Sequence, residues 1–396
     1  MKQKINKVKI LRIIHTLDPH HGGPQNAIID NSLTLIKNGI NVDILTSDTK
    51  KLNFQKSKNI KIFNLGPAVT QYGFNLKLFY WLLKNKKNYD FFILHGIWSF
   101  YTLISRIILK NRYFIFTHGQ LDPFFGLNFL KKIKKKIYWF LIEKNNVLSS
   151  RSLLLTTNIE KKLLSNTFVS TSGISKNVIN YGILKPEFDK KKVLKIFNKK
   201  FAHLNNKKFL LFLGRFHEKK GCDVLIKALK KLRNKKIIIN VLLAGSENKY
   251  KNYLKNLAKD LKIDDQIFWS DMITKDLKWG AITASEAMVL SSHGENFGVA
   301  LAESLGCGKP VLTTFKVNIY KEILHYKCGL ISKNKIDSFE KILLEFNNFN
   351  KLKLNEYSKN AIKCFNKNFN LNIKNDKLSI YLKKQKMLMM KQCKIN

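Results

Sequence analysis

Arg215 stands directly after Gly214 in the run Phe212-Leu213-Gly214-Arg215-Phe216-His217-Glu218-Lys219-Lys220-Gly221. An arginine offers a planar fork of donors and a lysine a compact point charge, so a glycine-bracketed loop carrying Arg215 and Lys220 suits a phosphate. Lysine is common throughout this chain, which makes Arg215 the more informative of the two. A second constellation is Ser291-Ser292-His293-Gly294-Glu295-Asn296-Phe297-Gly298-Val299-Ala300-Leu301-Ala302-Glu303. Here a turn holding Gly298 leads into a helix whose free N–H groups and positive dipole end suit an anion. Glu295 precedes that helix and Glu303 lies within it, so both carboxylates can face a ligand resting on the helix start. Glu-x7-Glu alone also describes an ordinary strand–turn–helix with two solvated glutamates; Arg215 and Lys220 in the same half favour one wall of a pocket. A third feature is the pair His95-Gly96 and His118-Gly119, each closing an apolar run.

The elements that must position these residues alternate between strand and helix. In the first half, Lys9–His15, Val42–Thr46, Phe91–Gly96, Tyr113–Gly119 and Leu153–Thr157 read as strands, and Gln25–Lys37 as a helix stopped by Asn38-Gly39. A βαβ unit implies a parallel sheet, and open parallel sheets bind ligands at the carboxyl edge of their strands, where both His-Gly pairs fall. Gly22-Gly23-Pro24 lets backbone approach a ligand closely, or makes a plain tight turn. It is not the dinucleotide fingerprint G-x-G-x-x-G, which disfavours NAD. Val178–Gly182 closes this half. The second half restarts the alternation: strands at Phe209–Gly214, Ile237–Ala244, Gln266–Trp269, Ala287–Leu290 and Lys309–Thr314; helices at Cys222–Leu232, about Lys249–Leu261 and Thr274–Ala284. The tail carries helices near Ile336–Phe346, Glu356–Phe365 and Ile373–Met387. Pro186, the Asp189–Lys192 run and the polar Asn198–Lys208 region read as a linker. Two halves so joined leave a cleft, a usual place for ligands.

The chain has 396 residues, which favours two cores over one. No apolar stretch approaches the roughly 18 residues of a membrane span, and no signal peptide follows the basic start, so a cytoplasmic protein is expected. Net charge is +45, which means either attraction to anions or compositional drift in a chain rich in Lys, Asn, Ile and Phe. Leu130–Leu141, with lysines at 131, 132, 134, 135 and 136, admits two readings: a packed helix with a solvated lysine face, or docking on an anionic membrane. The five cysteines form no C-x-x-C pair and no zinc spacing. There is no Asp-x-Asp triplet to hold a metal-bound diphosphate.

Taken in order, Gly214-Arg215 … Lys219-Lys220-Gly221, Leu243-Ala244-Gly245, Glu295–Gly298 through Glu303, and Gly308-Lys309-Pro310-Val311 resemble retaining nucleotide-sugar glycosyltransferases of the GT-B fold, family 4. Gly22-Gly23-Pro24, His95-Gly96-Ile97-Trp98 and His118–Pro123 are similar to a subgroup from bacterial surface-polysaccharide pathways. The resemblance implies an α/β fold of two Rossmann-like parallel-sheet domains: residues 1–185 on the acceptor side, a hinge over 186–208, a nucleotide-sugar domain over 209–365, and a last helix over 366–396 crossing back to the first domain. It implies that Arg215 and Lys220 hold the donor diphosphate beside Gly214 and Gly245. Glu303 would bind the ribose hydroxyls and Glu295 the sugar hydroxyls. Backbone N–H groups of Asn296, Phe297 and Gly298 would help hold sugar and phosphate. His118 would approach the transferring sugar, and Gly22 and Gly23 would border the phosphate. The implied partners are a nucleotide-sugar donor and a glycan or glycolipid acceptor, with no metal or other cofactor. Two departures stand out: Ser270 or Asp271 where the family commonly has Gly, and Glu286 where it commonly has Asp.

The leading expectation is transfer of a hexose to a lipid-linked or surface glycan by a cytoplasmic enzyme, peripheral on the inner face of the plasma membrane. A nucleotide-sugar epimerase of the same fold is a second reading, separable because it needs no acceptor. A nucleic-acid-binding protein is a third; it lacks a recognisable module and an aromatic–basic stripe for stacking, so no specific nucleic acid is expected.

Overall fold

The structure, a computed structural model, describes residues 7–18, 24–49, 59–70, 72–123, 129–179, 182–371 and 376–395. The chain divides into two compact units, residues 1–184 with 371–396, and residues 185–370.

In the first unit the strands are β1 (Lys9–Ile14), β2 (Asn41–Thr46), β3 (Lys61–Asn64), β4 (Phe91–His95), β5 (Tyr113–Phe116), β6 (Ser152–Leu155) and β7 (Lys176–Val178). The helices are α1 (Pro24–Lys37), α2 (Leu76–Asn85), α3 (Phe100–Leu109), α4 (Phe129–Tyr138), α5 (Lys144–Leu148) and α6 (Asn158–Leu163). All strand pairings are parallel, in the order β3-β2-β1-β4-β5-β6-β7. Strands covered on both faces must be largely apolar, which is why β4, β5 and β6 are apolar but for His95 and Ser152 at their ends and are buried along their whole length. One face of the sheet packs on Leu78, Leu82, Ile104 and Ile108 of α2 and α3. Neither helix, nor β3, was expected from the sequence. β5 ends at Phe116 rather than Gly119, because His118 and Gly119 both have positive φ and cannot continue a strand.

The second unit contains α7 (Lys190–Lys200), β8 (Phe209–Leu213), α8 (Cys222–Asn234), β9 (Asn240–Ala244), α9 (Lys249–Asp260), β10 (Ile267–Ser270), α10 (Lys275–Ala284), β11 (Ala287–Leu290), α11 (Val299–Gly306), β12 (Val311–Thr314), α12 (Tyr320–His325), β13 (Gly329–Ser332), α13 (Ile336–Asn347) and α14 (Lys351–Cys364). Its sheet is again all parallel, in the order β10-β9-β8-β11-β12-β13. α12 and β13 were not expected.

The 186–208 segment is not a bare linker. Asp189 caps α7 by accepting from the Lys191 and Lys192 N–H groups, and Val193 and Phe197, one turn apart, are buried. The Phe197 ring stacks on Phe209 at 5.7 Å, and Gly280 of α10 lets the two helices approach so closely that a Cβ there would strike the Val193 carbonyl. The last helix, α15 (Lys377–Ile395), belongs to the first unit. Leu378 and Leu382 are buried, Lys386 pairs with Asp90, and the Tyr381 hydroxyl lies 3.0 Å from Ser152 Oγ. No helix among the described residues is long and apolar enough to cross a membrane.

Candidate active site

In each sheet the strand order reverses beside the first strand: at β1/β4 in the first unit and at β8/β11 in the second. Connections leave that point in opposite directions, opening a crevice at the carboxyl edge. The loops that follow β8 and β11 are the two richest in candidate residues.

The loop after β8 is short and stitched to its neighbour. The Gly214 N–H donates to Ala244 O at 3.1 Å. Gly245 must be glycine, since a Cβ there would run into the Gly214 carbonyl and the Phe216 ring. Gly221 adopts φ 65° and caps α8, and a Cβ on it would strike the Ser291 carbonyl. Ser291 Oγ donates to Gly221 O at 2.6 Å. The His293 N–H and Ser292 Oγ both donate to Lys219 O, at 2.8 and 2.7 Å. Thus the phosphate-type loop and the Glu295 turn form one rigid piece, although they lie some seventy residues apart in the chain.

That piece brings Lys220 and Glu295 into an ion pair. Both side chains are about a fifth exposed. Burial alone would favour the neutral acid, but Lys220 foremost, then Lys219 and Arg215, outweigh it and hold the Glu295 carboxyl below the usual range. Arg215 is exposed at the loop's rim. The Glu295 backbone is also fixed, donating to Lys316 O and accepting from the Asn318 N–H, both at 2.9 Å. Gly298 takes φ 71° and caps α11, so only a residue tolerant of the left-handed region turns the chain into the helix here. The side chain of Phe297 is buried, its ring edge-on to Phe369 at 5.7 Å; what it offers a ligand is backbone. Glu303, in the second turn of α11, pairs with Lys278 of α10 at 2.6 Å, and Lys278 lies over the Trp279 ring at 4.0 Å. Lys278 was not singled out in the sequence, where it is one lysine among many.

Asp271, one of the departures, is exposed and pairs at 2.9 Å with Lys251, whose side chain is buried. Lys251 also meets Glu247 at 2.5 Å, closing a small charged network beyond β9 and β10.

In the first unit the two histidines meet. His95 Nδ1 lies 3.0 Å from His118 Nε2, so one ring nitrogen donates to the other. The rings stack with centroids 5.2 Å apart. Arg12 of β1, whose charge acts on both rings, is fully buried. Its guanidinium donates to Ile28 O and Ser32 Oγ at 2.8 Å and to Asn31 Oδ1 at 2.5 Å, all on α1. Burial, then the Arg12 charge, pushes His118 down to about 4; the same causes depress His95. Both imidazoles are therefore neutral near pH 7, and His118 is suited to hydrogen bonding rather than to carrying charge.

Glu160 holds the His118 loop. One carboxylate oxygen accepts from Thr117 Oγ1 at 2.6 Å and the Gly119 N–H at 3.0 Å; the other accepts from the Thr156 N–H at 2.7 Å and its hydroxyl at 3.0 Å. The only local signal of this is the Thr157-x-x-Glu160 helix start, where Thr157 caps the Glu160 N–H at 3.0 Å. Gly22 and Gly23 lie outside the described residues.

Residues 195–363 match the family Glycosyl transferases group 1. Through that span the chain is similar to the group 1 glycosyl transferases. The match starts within α7, which places that helix in the matched span. The D-inositol 3-phosphate glycosyltransferase of Pseudarthrobacter chlorophenolicus is 30% identical over 125 residues, 31% of this chain and 30% of that protein. The alignment thus spans about a third of that relative's length. The alpha-1,3/1,6-mannosyltransferase ALG2 of Kluyveromyces lactis is 23% identical over 81% of this chain and 74% of its own. Among solved structures, sucrose-phosphate synthase from Thermosynechococcus elongatus superposes with TM-score 0.71 at 16% identity, covering 98% of this chain and 99% of its own. Anabaena Alr3699/HepE, in complex with UDP and glucose, gives 0.73 at 14%, covering 97% and 100%. The fold is that of the GT-B proteins, two Rossmann-like parallel-sheet units.

Proposed function

We propose that this protein is a retaining glycosyltransferase of family 4, moving a hexose from a nucleotide-diphosphate sugar to a lipid-linked or surface-polysaccharide acceptor. The observation that carries this reading is the single rigid piece at the β8/β11 edge, in which the Arg215–Lys220 loop and the Glu295–Glu303 turn and helix are bonded together. Departure of a nucleoside diphosphate leaves negative charge on the phosphate oxygen as the bond to the sugar C1 breaks. Arg215, Lys220 and the N–H groups of Asn296, Phe297 and Gly298 at the α11 start lie preset for that charge, so little reorganisation is needed as it develops. The diphosphate competes with Glu295 for Lys220, and the released carboxylate is then available to the sugar hydroxyls. Glu303 keeps one oxygen on Lys278 and can offer the other to the ribose. His118, neutral and fixed by Glu160, serves as a hydrogen-bonding partner of the transferred sugar. Attack on the same face, assisted by the leaving phosphate, accounts for retention. HepE, whose solved complexes contain UDP and glucose or UDP-glucose, makes UDP-sugars the first donors to try.

Arg215→Ala and Glu295→Ala are each expected to lower transfer at least about a hundredfold, of the order seen when a charge-stabilising donor is removed, with the circular dichroism spectrum unchanged. Full activity in both variants would overturn the assignment. Screening UDP-, GDP- and ADP-sugars for protection against thermal unfolding identifies the donor, and product analysis with and without acceptor separates transfer from epimerisation.

A further inference from the structure

α4 is amphipathic, yet none of its residues is buried. On α4 the apolar side chains therefore meet no core, and within Leu130–Leu141 only Trp139 is buried. Phe129, Leu130, Ile133, Ile137, Phe140 and Leu141, on α4 and the turn that follows it, are exposed, with Phe129 at 73% and Phe140 at 75%. At about 100° per residue the four on α4 fall within a single arc of roughly 100°, and Phe140 and Leu141 lie on the π-helical turn Trp139–Glu143 that follows. Lys134 borders one edge of that arc, and Lys136 and Lys132 the other.

The helix is held by its opposite side. Tyr138 donates to the Tyr72 hydroxyl at 2.8 Å, Trp139 is buried, and the Lys135 ammonium lies over the Trp98 ring at 5.1 Å. Just beyond, the buried Glu143 accepts from the Trp98 N–H at 3.1 Å and from Asn146 Nδ2 at 3.0 Å. The anchoring side chains thus point away from the bare apolar arc.

From this geometry we infer that the outer face of α4 docks the first unit onto an anionic lipid surface. The apolar arc is suited to enter the acyl boundary, while the flanking lysines reach back to the phosphate level, burying their stems and keeping their charge wet. A protein partner would need acidic complementarity along both edges of an apolar strip; an anionic bilayer presents that everywhere. The inference deepens the proposed function, resting on it only for the purpose of docking, which is access to a lipid-linked acceptor.

The test is flotation at near-physiological salt with vesicles of phosphatidylcholine alone, or with about 30% phosphatidylglycerol, a charge density at which each basic residue near the surface adds measurable attraction. Wild type is expected to float with the anionic vesicles and not with the neutral ones. The variants I133D/I137D/F140D and K132E/K134E/K136E are each expected to lose at least about tenfold in partitioning. A control with the same charge change elsewhere, K359E/K363E/K367E, is expected to retain it. Unchanged binding of the apolar variant, an equal loss in the control, or equal binding to neutral vesicles overturns the inference. So does sedimentation showing a dimer that the apolar variant dissolves while vesicle binding persists, since the occupant is then a second copy. Thermal protection by nucleotide sugars on the same samples separates the two proposals: docking without protection sinks the donor reading alone, and protection without docking sinks this one alone.

Discussion

At the residue scale the chain uses burial to set charge states. Lys220, with Lys219 and Arg215, holds the Glu295 carboxyl below its usual range despite burial, so a ligand meets a carboxylate rather than a neutral acid. Burial, and after it the Arg12 charge, does the reverse for His95 and His118, keeping both neutral. This has a consequence for stability. The His118 pKa falls from its ordinary 6.5 to about 4 on folding. Between these values the unfolded chain binds a proton that the folded one does not, so stability is full above pH 6.5 and is lost as pH falls toward about 4. His118→Gln is expected to flatten that part of the profile; thermal melts of both proteins from pH 7 to 4 would show it. An unchanged slope would mean the imidazole pair is not held neutral in solution.

At the element scale the decisive parts are those whose composition disguised them. α7 is mostly lysine and asparagine, yet Val193 and Phe197 seat it on α10 and β8. Phe197→Ala should cost about 3–5 kcal/mol, as for a large aromatic removed from a core, whereas an exposed linker position would change stability by only about 0.5 kcal/mol. Denaturant titration of the variant distinguishes the two. α4 is the converse case, a strongly patterned helix whose apolar side meets no core, and its pattern is explained by something outside the chain.

At the scale of the whole molecule, the first unit is completed by residues far away in sequence. α15 supplies Leu378 and Leu382 to the buried interior, Lys386 to Asp90 and Tyr381 to Ser152. Leu382→Ala is expected to destabilise the first unit by about 2–5 kcal/mol. Hydrogen exchange resolved by peptide should quicken in β4, β5 and β6, and remain as in wild type across β8 to β13. Faster exchange confined to the second unit would contradict the assignment of α15.

By itself, the sequence determined the alternation of elements, the parallel sheets and the loops that carry the candidate residues. Apolar runs, helical spacing and glycines such as Gly221 and Gly298 act over a few residues, and their signals survive without any knowledge of the fold. It also located Arg215, Lys220, Glu295 and Glu303, because each sits next to a strand end or helix start that is locally legible. Tertiary structure alone decided who meets whom: Lys220 with Glu295, Lys278 with Glu303, His95 with His118 within reach of the Arg12 charge, and Glu160 with the His118 loop. These contacts close over tens of residues and depend on sheet order, which residue spacing does not encode. The same holds for burial. Nothing in a run of lysines and apolar residues says whether the apolar side finds a core, as in α7, or faces outward, as in α4; only the packing of the remaining chain settles that.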